Sequence, residues 1–116
     1  MALVISRGFK TVIPKRRVKM SAIVLSRDFD YQETIPLWRV EPSGIHITRE
    51  FIFQDFKKAF AFMTLCAQYA DEIDHHPDWK NSWNRVVVQL STHSAKALTT
   101  LDIQMAKAMD AYALQV

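Results

Sequence analysis

The spacing of the apolar residues changes near residue 55, and that change points to a mixed fold. Residues 37–41 alternate apolar and polar side chains, residues 42–44 are Pro-Ser-Gly, and residues 45–53 alternate again, which predicts a β-hairpin. From residue 56 onward the apolar residues recur at helical spacing. Asp55 can cap that helix by accepting backbone N–H groups of its first turn. The helix should run to about Asp74, because the residue before a proline, here Pro77, is kept out of the helical conformation.

The rest of the chain predicts one further strand and one further helix. The segment from Trp83 to Leu90 is dense in valine, which is typical of a strand. Thr99 and Asp102 have the spacing of a capping box, although Glu is more usual than Asp at the second position. The core side of that helix is expected to consist of Ile103, Ala106, Met109 and Ala113. Residues 21–33 form either a helix or an irregular arm. The pattern as a whole predicts an α+β fold, with antiparallel strands in one layer and helices in the other.

The predicted long helix carries two apolar stripes, whereas a helix that packs only on its own sheet needs one. The first stripe consists of Phe56, Ala59, Phe60, Met63, Ala67 and Ala70. The second stripe consists of Phe62, Leu65, Cys66, Tyr69 and Ile73. Burial of the second stripe against another subunit is the simplest explanation, and a thicker monomeric core is the alternative. The sequence therefore predicts a homo-oligomer whose interface includes the long helix.

Length and composition fit one globular domain. The 116 residues are 49% hydrophobic and 23% charged, as in an ordinary globular protein. No apolar run has the length needed to cross a bilayer. The single cysteine, Cys66, excludes an internal disulfide and a cysteine-built metal cluster, which suits a reducing compartment. Its apolar neighbours favour a small buried residue over a nucleophile.

The net charge of +3 is distributed unevenly along the chain. Residues 1–20 hold six Lys and Arg and no acid, a charge of +6, so the remaining residues are at −3. This mildly acidic body has no electrostatic footprint for direct binding of nucleic acid. We therefore divide the chain into a basic N-terminal extension, residues 1–20, and a single domain, residues 21–116. A cytoplasmic protein with a solvated extension is expected, and an organelle transit peptide or a weak nuclear signal is the alternative.

Two of the four histidines, His75 and His76, are adjacent and lie in an acidic stretch just before Pro77. Imidazole has the unperturbed pKa nearest to neutrality, so such a pair can carry out acid–base chemistry without a cofactor. Asp71 lies four residues before His75, where the two would share a helix face and could hydrogen-bond. The helix dipole, Asp71 and Asp74 would all favour imidazolium at His75, which suits a proton donor.

A third histidine, His93, ends the predicted last strand and comes back toward the pair if that strand returns along the helix. His46 has no acidic cluster around it and is expected at the surface. Simpler interpretations exist: His75 as a helix cap, Asp102 as a capping-box carboxylate, and residues 91–94 as an ordinary loop. A metal site from His75, His76 and His93 is a further alternative, although adjacent histidines rarely point at one ion.

The spacing of these residues resembles the signature of the pterin-4a-carbinolamine dehydratases. An acid is followed after three residues by His-His-Pro, after five more by Trp, after nine by His and after eight by Asp. The seven signature positions are Asp71, His75, His76, Pro77, Trp83, His93 and Asp102. The similarity covers about residues 36–112. Two positions depart from the family pattern and concern fine substrate contacts: Ala97, where glycine is common, and Leu101, where a polar or basic residue is common.

The resemblance implies a fold of four antiparallel strands with helices packed on one face, assembled as a homodimer or homotetramer. It also implies a reaction, the loss of water from 4a-hydroxytetrahydrobiopterin to give quinonoid dihydropterin. That reaction recycles the cofactor of aromatic amino acid hydroxylases. The pterin is the substrate, and neither a metal nor a separate cofactor is implied.

The resemblance also implies roles for individual residues. His75, His76 and His93 would be the catalytic histidines and would contact the pterin. Asp71 and Asp102 would orient or charge them. The other residues implied to bind the pterin are Asp74, Ser91, Thr92 and Ser94.

Some members of this family are binding proteins instead, which stabilise dimers of a transcription factor or help to assemble an unrelated enzyme. The resemblance therefore leaves a protein partner as an alternative to catalysis. That role would use the second stripe of the long helix, through Phe62, Leu65 and Tyr69, and not the histidines.

Overall fold

The computed structural model of the chain describes residues 22–116, in which one four-stranded sheet is covered by two long helices. In chain order the elements are α1 (Tyr31–Thr34), β1 (Arg39–Val40), β2 (Ile47–Ile52), α2 (Phe56–Ile73), β3 (Asp78–Ser82), β4 (Arg85–Leu90) and α3 (Thr100–Ala113). The strands are ordered β1-β2-β4-β3, and each neighbouring pair is antiparallel. The predicted basic extension lies outside the described residues.

One face of the sheet forms the core because buried side chains alternate along the two central strands. Ile47 and Phe51 of β2 pair with Leu90 and Val86 of β4, and all four are buried. Helices α2 and α3 pack against each other and against this face, where they bury side chains in the same core cluster. The predicted fold class, a four-stranded antiparallel sheet with helices packed on one face, is confirmed.

The edge strand β3 was not predicted from the apolar pattern, which placed the start of a strand at Trp83. Strand β3 is polar and contributes one large apolar side chain, Trp79, to the core, so its alternation is weak. Trp83 lies in the turn between β3 and β4, at φ 52° and 64% exposed. The Asn81 side-chain amide donates to the carbonyls of Trp83 and Arg85, at 3.1 and 2.9 Å, and so holds this tight turn.

Helix α2 begins as predicted, because the Asp55 carboxylate accepts the Lys58 N–H at 2.9 Å. Its buried positions are Ala59, Phe62, Cys66, Ala70 and Ile73. This single core-facing stripe combines members of both predicted stripes, so the division of the helix into two stripes was wrong. Burial of a side chain such as Phe62 contributes roughly 1.5–3 kcal/mol to stability.

The exposed apolar residues of α2 differ from those expected at an oligomer interface. Phe62 was assigned to that interface, but it is fully buried in the core of its own chain. The exposed aromatics are Phe56 and Phe60, at 47% and 55%, and their ring centroids are 5.7 Å apart. The expected oligomer stays a prediction, and Phe56 and Phe60 replace Phe62 as the exposed apolar side chains of this helix.

Helix α3 begins with the predicted capping box, in which Thr99 and Asp102 satisfy each other's backbone N–H groups. Three of its four predicted core residues are buried: Ile103, Ala106 and Met109. Near its C-terminus the Asp110 carboxylate accepts hydrogen bonds from the Trp38 indole, at 2.8 Å, and from Arg49 of β2. These contacts link the C-terminal end of α3 to the sheet side of the domain.

The segment that precedes α1 is an irregular arm that pairs with the start of α3. The Leu25 N–H donates to the Leu98 carbonyl at 3.1 Å, and the Thr100 N–H donates to the Ile23 carbonyl at 2.9 Å. Of the two predictions for residues 21–33, the arm therefore describes most of the segment, with α1 a single helical turn capped by Asp30.

Candidate functional site

The end of α2 separates the two adjacent histidines. Asp74 adopts the left-handed conformation, φ 53° and ψ 46°, and the His75 N–H donates to the Ala70 carbonyl at 3.0 Å. This hydrogen-bonded reversal is a common way to end a helix. It turns the His75 side chain into the protein and leaves His76 exposed.

His75 pairs with a carboxylate from the other long helix. Its Nε2 lies 2.7 Å from Asp102 Oδ1, and both side chains are buried. Asp102 projects from the first turn of α3, where its Oδ2 accepts the Thr99 N–H at 2.9 Å and the Thr92 hydroxyl at 2.7 Å. Asp102 therefore serves at once as a capping-box carboxylate and as the partner of His75. The two interpretations of Asp102 made from the sequence are compatible.

His76 pairs with Asp71, and this corrects the expectation that Asp71 would bond His75. The distance from His76 Nε2 to Asp71 Oδ1 is 2.9 Å. The predicted i, i+4 contact requires a continuous helix, but the left-handed Asp74 ends the helix before His75. This pair is largely in solvent, with side chains 55% and 75% exposed, so it contributes little to stability.

One cleft of about 640 Å³ brings the predicted site residues together. The predicted residues that line it are Asp74, His75, His76, Ser91, Thr92, His93 and Ser94. Asp102 lies behind this lining against His75, and the exposed Asp71 lies beside His76. The cleft forms because β4 runs antiparallel to β3, so the residues after β4 return to the end of α2. His46, expected at the surface, is partly exposed and is absent from the lining.

Among residues 22–116, four lining residues were not predicted as site residues: Ala22, Pro77, Asp78 and Leu101. Pro77 belongs to the His-His-Pro triplet, and Leu101 precedes the signature aspartate, so both lay next to visible signals. Asp78 follows the triplet and carries a carboxylate that sequence reasoning could have considered. Ala22 carries no signal of its own, because the arm reaches the cleft only by pairing with residues 98–100.

In the described part of the chain, burial raises the pKa of three groups near the core, Tyr31, Cys66 and Tyr112. Burial, together with the charge of Asp102, raises the pKa of the Tyr31 phenol. Burial raises the pKa of the Cys66 thiol to about 12, as expected of a small core residue and not of a nucleophile. Within residues 22–116, no three His, Cys, Asp or Glu side chains are grouped so that they could hold one metal ion. No helix in this part of the chain is long and apolar enough to span a membrane.

The sequence was compared with models of known protein families. The family model described as "Pterin 4 alpha carbinolamine dehydratase" matches residues 25–112, which include every predicted site residue. The chain belongs to the pterin-4a-carbinolamine dehydratase family. The resemblance noted in the sequence is thereby confirmed at the level of the family.

Relatives from Brucella extend the comparison within this family. A protein of Brucella ovis that bears the name of this dehydratase family is 55% identical over 61 residues, or 53% of this chain. The matched segment spans 63% of the length of that relative, slightly under two thirds.

Two solved structures share the fold. A crystal structure from Brucella melitensis, described as a transcriptional coactivator/pterin dehydratase, is 43% identical with a TM-score of 0.72. The match covers 78% of this chain and 98% of that one. A pterin dehydratase-like protein described as a RuBisCO assembly factor in the alpha-carboxysome is 22% identical, with a TM-score of 0.58 over 66% of this chain and 88% of its own. The second similarity concerns the fold alone.

Proposed function

We propose that this protein is a dehydratase that converts 4a-hydroxytetrahydrobiopterin to quinonoid dihydropterin and water. The observation that carries the proposal is the convergence of His75, His76 and His93 on one cleft, with a buried carboxylate behind His75. A volume of about 640 Å³ is in the range of small-molecule sites. Membership of the family supports the same reaction.

The proposed reaction needs two proton transfers. The bond from C4a to the hydroxyl oxygen breaks, and a donated proton lets the oxygen leave as water. The neighbouring ring nitrogen loses a proton, and its electrons form the new double bond to C4a. Imidazole side chains can carry out both transfers near neutral pH, so His75, His76 and His93 supply the required groups.

His75 is proposed as the acid that protonates the departing hydroxyl. Its Nε2 faces Asp102, so Nδ1 is the nitrogen available to a ligand. The carboxylate stabilises an imidazolium ring by charge and by hydrogen bonding. His76 or His93 then removes the proton from the ring nitrogen. Asp71 orients His76 through their 2.9 Å contact.

Binding of the pterin is assigned to the polar lining of the cleft. Asp74, Ser91 and Ser94 are proposed to hydrogen-bond the ring or its side chain, and all three line the cleft with the histidines. The proposed physiological role is recycling of the pterin cofactor of aromatic amino acid hydroxylases, in the cytoplasm. The protein is proposed to act as a homodimer or homotetramer.

A second candidate function is that of a binding protein, because the related structure from Brucella melitensis is described as a transcriptional coactivator as well as a pterin dehydratase. The exposed pair Phe56 and Phe60 favours it, because exposed aromatic clusters often mark protein contacts. Phe62, which was expected to serve this role, is buried and unsuited to it. The two functions use different surfaces and can coexist.

Stopped-flow measurement of carbinolamine dehydration tests the main proposal against the second one. The purified protein should raise the rate well above that of the spontaneous reaction. Absence of any acceleration, with a specific partner retained from lysate and released by Phe60→Asp, would contradict the dehydratase and favour the binding protein. Leu114→Asp, at an exposed apolar residue beyond α3, is the matched control for the partner assay.

A further inference from the structure

The hydroxyl of Thr92 faces away from the cleft, although the residue lines it. Thr92 is buried, and its Oγ1 lies 2.7 Å from Asp102 Oδ2. The same Oγ1 lies 2.7 Å from the Thr99 hydroxyl. A hydroxyl engaged with two buried groups is poorly placed to bind a substrate as well.

Hydrogen-bond accounting fixes the direction of this chain of hydroxyls. A threonine hydroxyl has one proton, and Thr92 donates its proton to Asp102. Thr99 Oγ1 must then donate to Thr92, while it accepts the Leu101 N–H at 3.2 Å. Each donor and acceptor in this buried chain thereby has a partner, as buried polar groups require.

The same accounting applies to the carboxylate. Asp102 Oδ2 accepts from the Thr99 N–H and the Thr92 hydroxyl, which leaves Oδ1 to accept from His75 Nε2. A carboxylate acts only as an acceptor, so Nε2 is protonated, and Nδ1, on the cleft side, carries the second proton when the ring acts as an acid. The orientation of the carboxylate therefore determines which nitrogen of His75 can react.

We infer that Thr92 is a positioning residue, which acts on His75 through Asp102 and does not itself bind the pterin. This inference rests on the proposed function and deepens it. Without the Thr92 hydroxyl, one acceptor site of Oδ2 loses its partner inside the protein, and apart from the His75 ring itself only the Thr99 N–H still holds the carboxylate against rotation. His75 is then less firmly held with Nε2 toward Asp102 and Nδ1 toward the cleft, while the residues that face the pterin are unchanged.

Thr92→Val tests this role, because it removes the hydroxyl and keeps the shape of the side chain. We expect kcat to fall by about tenfold or more, with little change in KM. Thr92→Ser restores a hydroxyl and should recover most of the loss. Thr48→Val is the matched control: Thr48 also donates a hydroxyl bond, partly buried, to the Val88 carbonyl at 2.9 Å, but lies outside the cleft.

Nitrogen NMR of the imidazole of His75 gives a second readout that does not depend on turnover. In its neutral form the His75 ring of the unaltered protein should be the Nε2–H tautomer, and in Thr92→Val it should be a mixture with the Nδ1–H tautomer. If Thr92→Val fails to fold, Thr92→Ala carries the same test. A raised KM with unchanged kcat, or an unchanged tautomer in Thr92→Val, would overturn the inference. If the unaltered protein proves inactive, the proposed function fails and the tautomer measurement still decides the role of Thr92.

Discussion

His75 and Asp102, which are 27 residues apart in the chain, meet inside the protein with 2.7 Å between Nε2 and Oδ1. His75 follows the last turn of α2 and Asp102 lies in the first turn of α3, so the contact joins the two long helices. The carboxylate that caps α3 thereby also orients a candidate catalytic ring. Folding of the domain and assembly of the site depend on the same side chain.

Asp102→Asn should impair both stability and turnover. The amide replaces one acceptor oxygen by a donor, which conflicts with at least one of the donors around Asp102. We expect a loss of about 1–3 kcal/mol in the free energy of unfolding, measured by urea denaturation. Turnover should fall by about a hundredfold, because the negative charge that stabilises the His75 imidazolium is removed.

Asp110→Asn is the control for that prediction. Asp110 also accepts two hydrogen bonds on α3, from Trp38 and Arg49, but is absent from the lining of the cleft. It should lose stability and keep a normal kcat. Equal losses of kcat in the two variants would mean that Asp102 acts only through stability.

The two adjacent histidines should affect opposite limbs of the pH–rate profile. His75 pairs with a buried carboxylate and His76 with an exposed one, so their surroundings differ. His75→Ala should remove the limb that reports the acid, and His76→Ala should leave that limb in place. Loss of the same limb in both variants would contradict the assignment of His75 as the acid.

In the purified protein, where no other partner covers it, the exposed aromatic pair on α2 should contribute to a homo-oligomer. Phe56 and Phe60 are 47% and 55% exposed and lie side by side, and exposed aromatic clusters often mark protein contacts. Light scattering at micromolar concentration should give a multiple of the 13.4 kDa chain mass, and Phe60→Asp should shift it toward one chain. Leu37→Asp, at another exposed apolar residue outside α2, should leave the mass unchanged. A monomer mass for the unaltered protein would refute the prediction.

Removal of residues 1–19 should leave folding and turnover nearly normal. Among the residues that the structure describes, every one that lines the cleft lies at or after Ala22, and the arm keeps its hydrogen bonds to residues 98–100. A protein that begins at Arg27 lacks the Ile23 and Leu25 bonds and should be less stable. The comparison requires both melting temperatures and both turnover rates. A large loss of turnover in the longer protein, with its circular dichroism unchanged, would show that residues 1–19 reach a site.

Cys66 should be inert toward thiol reagents in the folded protein. Burial raises the pKa of its thiol to about 12 from an ordinary value of 9.0, so little thiolate exists at pH 8. The thiol pKa is higher in the folded than in the unfolded protein, so raising the pH favours the unfolded state, in which the thiol ionises more easily. Protonated Cys66 therefore contributes its full share to the free energy of unfolding below pH 9, and this share is lost as the pH rises toward 12. A chromogenic disulfide reagent should react only after unfolding. Fast reaction of the native protein would contradict the buried position.

The sequence predicted the elements whose signals are local. Helix α2 has Asp55 as its cap and apolar residues at helical spacing, and α3 has the Thr99–Asp102 capping box, so both were found. Strand β3 was missed because an edge strand buries little, and its one apolar anchor, Trp79, is flanked by polar residues. The assignment of Phe62 to an interface was wrong because the sequence alone does not show which apolar side chains of α2 face the sheet and which face solvent.

The candidate site was predicted as a set of residues, but not as a set of contacts. The signature spacing selected His75, His76 and His93, which line the same cleft. Pairing of Asp71 with His75 was wrong because the left-handed Asp74 interrupts the helix. The contact between His75 and Asp102 depends on how α2 and α3 pack, which no local pattern specifies.

The dehydration rate of four single histidine variants tests the central claim most directly. His75→Ala, His76→Ala and His93→Ala should each lower kcat/KM for the carbinolamine, and His75→Ala should lower it by about a hundredfold or more. His46→Ala, at a histidine absent from the cleft lining, should retain the activity of the unaltered protein. Unchanged rates in all three cleft variants, with their folds intact by circular dichroism, would contradict a histidine-based dehydratase site in this cleft.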